Sequence, residues 1–557
     1  MNPQINRRWA SALFLILVSL AIVAPRAPAL DRFVTADEWA WVGRSARFYT
    51  SLRLKNFAGT FQHSHPGVTA MWAGSFAYLW RFPELVWEAP PATLANIHKL
   101  EQFLKVRERP ALMILESARD FMVLGTSLAL LLAFLAARRL FGTWPAFAGI
   151  LLIAFDPFHI GLTRLLHLDG LISSLMFLAV LSFLCFIYQG RRWSDLLLAT
   201  LATGFAWLTK SPSIFLVPFF GLVSLAAIWN TWREDRRVNR GNFWRLTWPF
   251  LVVVSGAVLI FVLFWPAMWI DPLGTLIRMF DTTSEYALEG HDKDLFFMGR
   301  VIDGDPGWLF YPVNYLWRTT PSVLGGLLLA VLAFIKRWPP LEEGRRREIA
   351  VLLLLDGLLF AVMMSLGAKK FDRYIIPSFP PLDLLAGIGW AAFLGWLWRR
   401  PKQPLARWVA AGLAILVIGW QAFLAARTYP YYLTYYNPLM GGSKKAPEVM
   451  IIGWGEGLDQ AARFLNGLPK SERMKVMSLY PHGSVSYIFN GEALDQPLVW
   501  EGPEPLMAQG IDYVILYRNQ IQRQLPDPAM LEYFAGQTPE YVVYIDGLRY
   551  AQIFGIQ

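Results

Sequence analysis

Two adjacent carboxylates stand in Thr35-Ala36-Asp37-Glu38-Trp39, directly after the first apolar run of the chain. A carboxylate at the edge of an apolar region can take the proton from an attacking hydroxyl, so Asp37 and Glu38 are candidates for a general base. Adjacent acids on a loop also occur as plain solvated charge, and the pair alone does not choose. A third acid, Asp169, stands next to last in the segment Thr163-Arg164-Leu165-Leu166-His167-Leu168-Asp169-Gly170 and enters an apolar run at once, where a carboxylate suits the first turn of a helix. It shares a short connection with Asp156, His159, Arg164 and His167.

Cations form the second group. Arg164, Lys210 and the cluster Lys369-Lys370-Phe371-Asp372-Arg373-Tyr374 fall between apolar runs where nothing about membrane topology asks for positive charge. Above an apolar bundle they suit the phosphate of a lipid whose tail is buried, Arg gripping it bidentately and Lys as a point charge. Snorkelling to the interface is the plainer alternative. His63 and His65, two apart before Pro66-Gly67, could meet one metal from an extended strand, yet two ligands do not define a site, and a polar turn that docks the loop is the simpler reading. His291, in Glu289-Gly290-His291-Asp292, is a loop histidine with the same ambiguity.

The elements that must position these groups are membrane helices. Only 17% of the 557 residues are charged and 55% are hydrophobic, which excludes an ordinary soluble enzyme. The single cysteine, Cys185, excludes a disulfide framework, a cysteine-based zinc site and an iron–sulfur cluster. Apolar runs bounded by charges, Pro or Gly are expected near 9–23, 121–137, 144–155, 171–188, 196–208, 214–229, 250–265, 322–334, 349–366, 374–396 and 408–425, about eleven spans. The first run also fits a signal peptide, with Arg7 and Arg8 before it and small residues after it, although a retained span makes the charge bias consistent. With the N-terminus inside, Arg7/Arg8, Arg138/Arg139, Arg191/Arg192, 233–245, 336–347 and 399–407 all become cytoplasmic and all are basic. The net charge of +10 is thereby explained without nucleic acid.

The expected fold is thus mostly α, a polytopic helix bundle over 1–425 with two long outer loops, 30–120 and 268–320, and a small extracytoplasmic α/β domain over 426–557. The aromatics of the second loop suit a segment lying on the membrane surface. In the C-terminal part a helix is expected at 458–466 and strands at 476–480, 513–517, 541–545 and 550–554.

Taken in order, an Asp-Glu pair after the first span, His65-Pro66-Gly67 in the loop, Asp169 entering the fourth span, Thr209-Lys210-Ser211-Pro212 after the fifth and Lys369-x-x-x-Arg373-Tyr374-x-x-Pro377 after the ninth resemble the GT-C glycosyltransferases. The set is most similar to bacterial relatives of the dolichyl-phosphate-mannose protein mannosyltransferases, with the lipid A aminoarabinose transferases as cousins. Tyr435-Tyr436-Asn437-Pro438-Leu439 and Gly453-Trp454-Gly455-Glu456-Gly457-Leu458 also resemble that bacterial branch.

The resemblance implies a catalytic base at Asp37 with Glu38 its neighbour and Asp169 near the reaction centre. It implies a donor phosphate held by Lys210, Lys369, Lys370, Arg373 and Tyr374. His65, His167 and His291 are implied as substrate or metal contacts. A divalent metal is known in some relatives, but nothing in the sequence requires one, and the cofactor stays unknown. Gly67 stands where relatives carry a second proline. The implied reaction moves a sugar, hexose, mannose-like or aminoarabinose-like, from a polyprenyl-phosphate donor to a protein, lipid or glycan acceptor, inverting, at the outer face of the inner membrane. A transporter or flippase of a lipid-linked sugar and a glycan polymerase or ligase are the alternatives. A transporter should carry polar groups at mid-membrane, whereas the charged residues within these spans, Asp356 and Asp383, are expected near span ends.

Overall fold

The computed structural model describes residues 3–235, 240–288, 293–400 and 404–556; His291 lies outside the described residues. The chain is mostly helical, and each expected apolar run coincides with a helix. Among the described residues seven helical segments are long and apolar enough to cross a membrane: Ala111–Phe141, Leu168–Tyr188, Ser211–Arg233, Arg240–Phe264, Gly344–Ser365, Asp372–Trp398 and Leu405–Thr428. The protein is therefore a multi-pass membrane protein.

Two further runs are broken. Thr143–Ala154 bends by 68° into Pro157–Thr163, and Phe310–Arg318 bends by 109° into Pro321–Lys336. Both breaks carry the same local signal, a capping side chain followed by proline. Asp156 accepts the His159 N–H at 2.7 Å, Thr320 accepts that of Val323 at 3.3 Å, and each following proline starts the new helix. Counting each bent pair as one span gives nine. The other two expected spans coincide with shorter helices, one apolar over Ser11–Val23 and the other Trp193–Thr209.

Leu168–Tyr188 is apolar on every side and 94% buried, whereas Arg240–Phe264 and Leu405–Thr428 are 28% buried. The first is the axis of the bundle and the other two face lipid. Thr143–Ala154 packs on Phe379–Trp398 through facing glycines, where a Cβ on Gly387 would lie 2.1 Å from the Gly149 nitrogen. Asp356 departs from expectation. It sits midway along Gly344–Ser365 and is buried.

The first loop is itself helical, with Glu38–Arg53 and Val68–Arg81 packed around Phe48, Met71 and Tyr78. It ends sooner than expected, because Ala111–Phe141 runs ten residues further toward the N-terminus than the apolar stretch alone suggests. In the second loop, Pro272–Leu288 exposes Leu273, Ile277 and Phe280, and a hairpin pairs Leu295 with Ile302.

The C-terminal part holds the expected helix Leu458–Asn466 and a five-stranded sheet in the order Glu492–Asp495, Lys475–Ser478, Tyr513–Tyr517, Leu548–Gly555, Tyr541–Ile545. The first three strands are parallel and the last two antiparallel to their neighbours. Glu492–Asp495 was not expected, since a four-residue edge strand with acidic ends has no apolar alternation to reveal it. This sheet region sits on the first loop. Trp454 O accepts Ala36 N–H at 3.0 Å, Arg463 donates to Arg32 O at 2.9 Å and Lys105 to Asn490 O at 3.1 Å.

Candidate active site

Asp37 occupies the cap position of helix Glu38–Arg53 but makes no capping hydrogen bond. Its carboxylate gains from the helix N-terminus and points instead into a cavity of about 490 Å³. Oδ2 lies 3.3 Å from Arg373 Nη2 and 3.5 Å from His167 Nε2, with 43% of the side chain exposed. His167 caps Leu168–Tyr188, and its other ring nitrogen is 3.3 Å from Asp169 Oδ2. Asp169, in the first turn of that helix, takes Lys210 Nζ at 2.6 Å and faces Arg373 Nε at 3.3 Å. Lys210 reaches it because Trp193–Thr209 ends in an extended residue before Pro212. Arg373 comes from the turn Asp372–Ser378, which opens the opposite wall.

Two acids and two cations, from chain segments more than 300 residues apart, thus meet around one histidine. Tyr374 completes the group, its ring 4.0 Å from Lys210 Nζ, and Lys369 and Tyr374 line the same cavity.

The charges support one another. Burial works against the Asp37 carboxylate, yet the His167 hydrogen bond and the Arg373 guanidinium outweigh it and hold Asp37 below the usual carboxylate range. Burial also disfavours the His167 imidazolium, but Asp169 and Asp37 on either side push its pKa up. Lys210 is lowered by burial, against the pull of Asp169.

His65 and His63 line the cavity but belong to a docking turn. His65 Nδ1 hydrogen-bonds Ser211 Oγ at 3.0 Å, Gly67 N–H donates to Thr209 O at 3.1 Å, and Thr69 donates to Thr209 at 2.9 Å. The loop therefore clasps the break that carries Lys210. Burial lowers His63 to about 4 and His65 to about 3, so both rings are neutral. Their donor set does not fit a metal centre. Among the described residues no three His, Cys, Asp or Glu side chains converge on a common point, and the nearby carboxylate Asp169 is held by Lys210 and Arg373, which would repel a cation.

The structure separates several residues from the cavity. Glu38 turns away from Asp37 into a fully buried lock. It accepts Arg119 Nε at 2.7 Å, Thr35 N at 3.0 Å, Thr35 Oγ1 at 2.9 Å and Leu166 N at 2.8 Å, with Arg119 Nη2 closing a bidentate pair. Lys370 pairs with Asp305 and is itself buried. Arg164 ties down Pro28 and Ala29 through their carbonyls. Asp156 and His159 lie in the bend with Arg26, which donates to Thr163 at 2.9 Å and contacts His159 at 3.1 Å.

Other cavity residues were not anticipated as site residues. Arg44, Lys293, Arg318, Glu456, Tyr480, Asn519 and Arg523 line it, and so does Trp454. Arg318 holds Asp372 at 2.6 Å, directly before Arg373. Its sequence signal was an Arg at the mouth of a span. Tyr480, Asn519 and Arg523 carried none, because the sheet alone brings them there.

Residues 115–266 match the family model of the dolichyl-phosphate-mannose-protein mannosyltransferases. Among solved structures the chain is similar to ArnT from Cupriavidus metallidurans bound to undecaprenyl phosphate, with 14% identity, 98% of each chain covered and a TM-score of 0.48. It is similar to the Archaeoglobus fulgidus oligosaccharyltransferase tethered with an acceptor peptide, with 13% identity, 93% of this chain and 71% of that one covered and a TM-score of 0.46. A third similarity is to the S. cerevisiae protein O-mannosyltransferase Pmt1–Pmt2 complex bound to the sugar donor, with 17% identity, 48% and 34% covered and a TM-score of 0.35. The matched family segment contains Asp169 and Lys210.

Proposed function

We propose that the chain transfers a sugar from a polyprenyl-phosphate donor to an acceptor hydroxyl or amine, with inversion, Asp37 acting as general base. The observation that carries this reading is the half-exposed Asp37 carboxylate, held between Arg373 and His167 at the wall of a cavity whose other walls carry Lys210, Lys369 and Tyr374.

The donor phosphate meets Lys369, Arg373 and Lys210, and its lipid tail lies among the spans. The acceptor oxygen gives its proton to Asp37 and bonds to the anomeric carbon. The bond from that carbon to the phosphate oxygen breaks, and the electron pair leaves with polyprenyl phosphate. The cations stabilise the charge that collects there while positive charge builds on the sugar ring. Asp169 touches neither end of the new bond. It orients Lys210, Arg373 and His167. Glu38 holds the first loop through Arg119 so that Asp37 stays at the cavity.

In this reading the bundle is the unit 1–425 and the sheet region 426–557 a second unit, with about eleven spans crossing the inner membrane. The basic connections face the cytoplasm and the cavity faces the outside. A transport reading draws on Asp356 and Asp383, two buried carboxyls inside spans.

One assay decides between the two. Protein reconstituted in liposomes is given defined polyprenyl-phosphate sugars and acceptors, wild type beside Asp37→Asn and Asp169→Asn, and products are resolved by mass. Covalent transfer by wild type, lost in both variants, is the expected result. Full activity in both variants defeats the residue assignment, and transbilayer movement without a covalent product favours transport.

A further inference from the structure

The motif Gly453-Trp454-Gly455-Glu456-Gly457 stands far from the acid and cation cluster in the chain, yet its indole lies on that cluster. The Trp454 ring is 4.2 Å from the Arg373 guanidinium carbon and meets His167 edge-on at 5.0 Å. Its carbonyl accepts the N–H of Ala36, the residue before Asp37, at 3.0 Å. One residue therefore touches both partners of Asp37 and the backbone that presents it.

The far side of the loop is bound to the sheet. Tyr517, at the end of strand Tyr513–Tyr517, accepts from Gly455 N–H at 3.0 Å and donates to Glu456 O at 2.9 Å. Asn519 donates to Gly453 O at 2.9 Å, and Glu456 accepts the Trp454 N–H at 2.6 Å. Gly455 has a φ of +124°, and a Cβ there would fall 2.3 Å from Val34 O. Only glycine lets the loop come this close to the Asp37 turn.

Arg373 needs such a support. Its contacts with Asp37 and Asp169 are both 3.3 Å, too loose to fix a guanidinium by hydrogen-bond geometry. The faces of Trp454 and Phe371, at 4.2 and 4.3 Å, orient it by cation–π contact.

We propose that the sheet-bearing C-terminal segment is a working part of the catalytic site, acting through Trp454 as a positioning residue that holds Arg373 and His167 against Asp37 and Asp169. The inference rests on the transfer reading above for its kinetic consequence and on geometry for the rest.

It is tested with Trp454→Ala, Trp454→Phe and Tyr517→Phe in the full chain. Trp454→Ala is expected to lower kcat about 10²-fold, with KM for the donor changed less than about 3-fold. Trp454→Phe restores most of the loss, and Tyr517→Phe falls between. The second readout needs no turnover. In histidine-labelled protein the titration of the His167 ring, faced by Asp37 and Asp169 with Lys210 and Arg373 behind them, moves in Trp454→Ala and stays as in wild type in Trp454→Phe. Should Trp454→Ala not fold, Tyr517→Phe carries both readouts.

Wild-type kcat in Trp454→Ala, a loss confined to KM, an unmoved His167 titration, or equal damage from Phe and Ala each overturns the proposal. An inert wild type whose His167 still shifts with Trp454 counts against the transfer reading and for the positioning role.

Discussion

Asp37 and Glu38 are adjacent acids on one turn, and they end in opposite states. Glu38 is buried with both oxygens engaged by Arg119, Thr35 and Leu166. Asp37 is 43% exposed and its partners stand at 3.3 and 3.5 Å. Glu38 belongs to a finished network, in which every acceptor has its donor and the group has nothing left to offer. Asp37 belongs to an unfinished one, charged and oriented but with capacity for one more proton. Position separates the neighbouring lysines as well, since Lys370 is buried on Asp305 and Lys369 lines the cavity. Position beside the cavity, more than the presence of charge, separates Asp37 and Lys369 from their neighbours.

The largest effect that tests this contrast is on turnover. Asp37→Asn keeps the shape and removes the proposed base, and transfer is expected to fall about 10³-fold while the thermal midpoint stays within a few degrees. A stability loss in place of an activity loss would erase the distinction between the neighbours. The reverse holds for Glu38→Gln. It strips the Arg119 guanidinium of its charge partner, and unfolding in mild denaturant should show a loss of about 3–5 kcal/mol, with turnover per folded molecule falling far less than in Asp37→Asn.

A smaller effect separates the lysines. Lys369→Ala is expected to raise the donor KM about 10-fold, the value of one charge-assisted contact to phosphate, and Lys370→Ala to raise it less than half as much. The smallest effect is on pH. The folded protein holds the His167 pKa above its ordinary value, so the stability His167 contributes is complete below about 6.5. That contribution is lost as pH rises through the folded value. The thermal midpoint of wild type should decline over that interval more than that of His167→Gln.

The helices were legible because a long apolar run between charges has one solution in a bilayer, and the order of Asp37, Asp169, Lys210 and Arg373 along them was legible from residue type. Which of two adjacent acids faces the cavity was not, since a single residue of helix register decides it and the deciding partner, Arg119, lies 81 positions away. Arg164 and Lys370 looked like Lys210 and Lys369 because a sequence shows charge and not whether the side chain reaches the cavity. Asp356 shows the limit within spans, where the sequence reading put it near an end and the helix puts it at the middle. Tyr480, Asn519 and Arg523 reach the cavity only because parallel strands stack in a particular order, which no local pattern encodes.

The hydrogen bond between Ala36 and Trp454 joins positions roughly 400 residues apart, an interval that a ribosome working at about 5–20 residues per second spans in about 20–80 s. Throughout that time the acid of the first loop is already made and its clamp is not. The newborn chain thus carries Asp37, Asp169, Lys210 and Arg373 before the segment that braces them has been made. The cluster is braced only once about the last hundred residues of the chain have joined it.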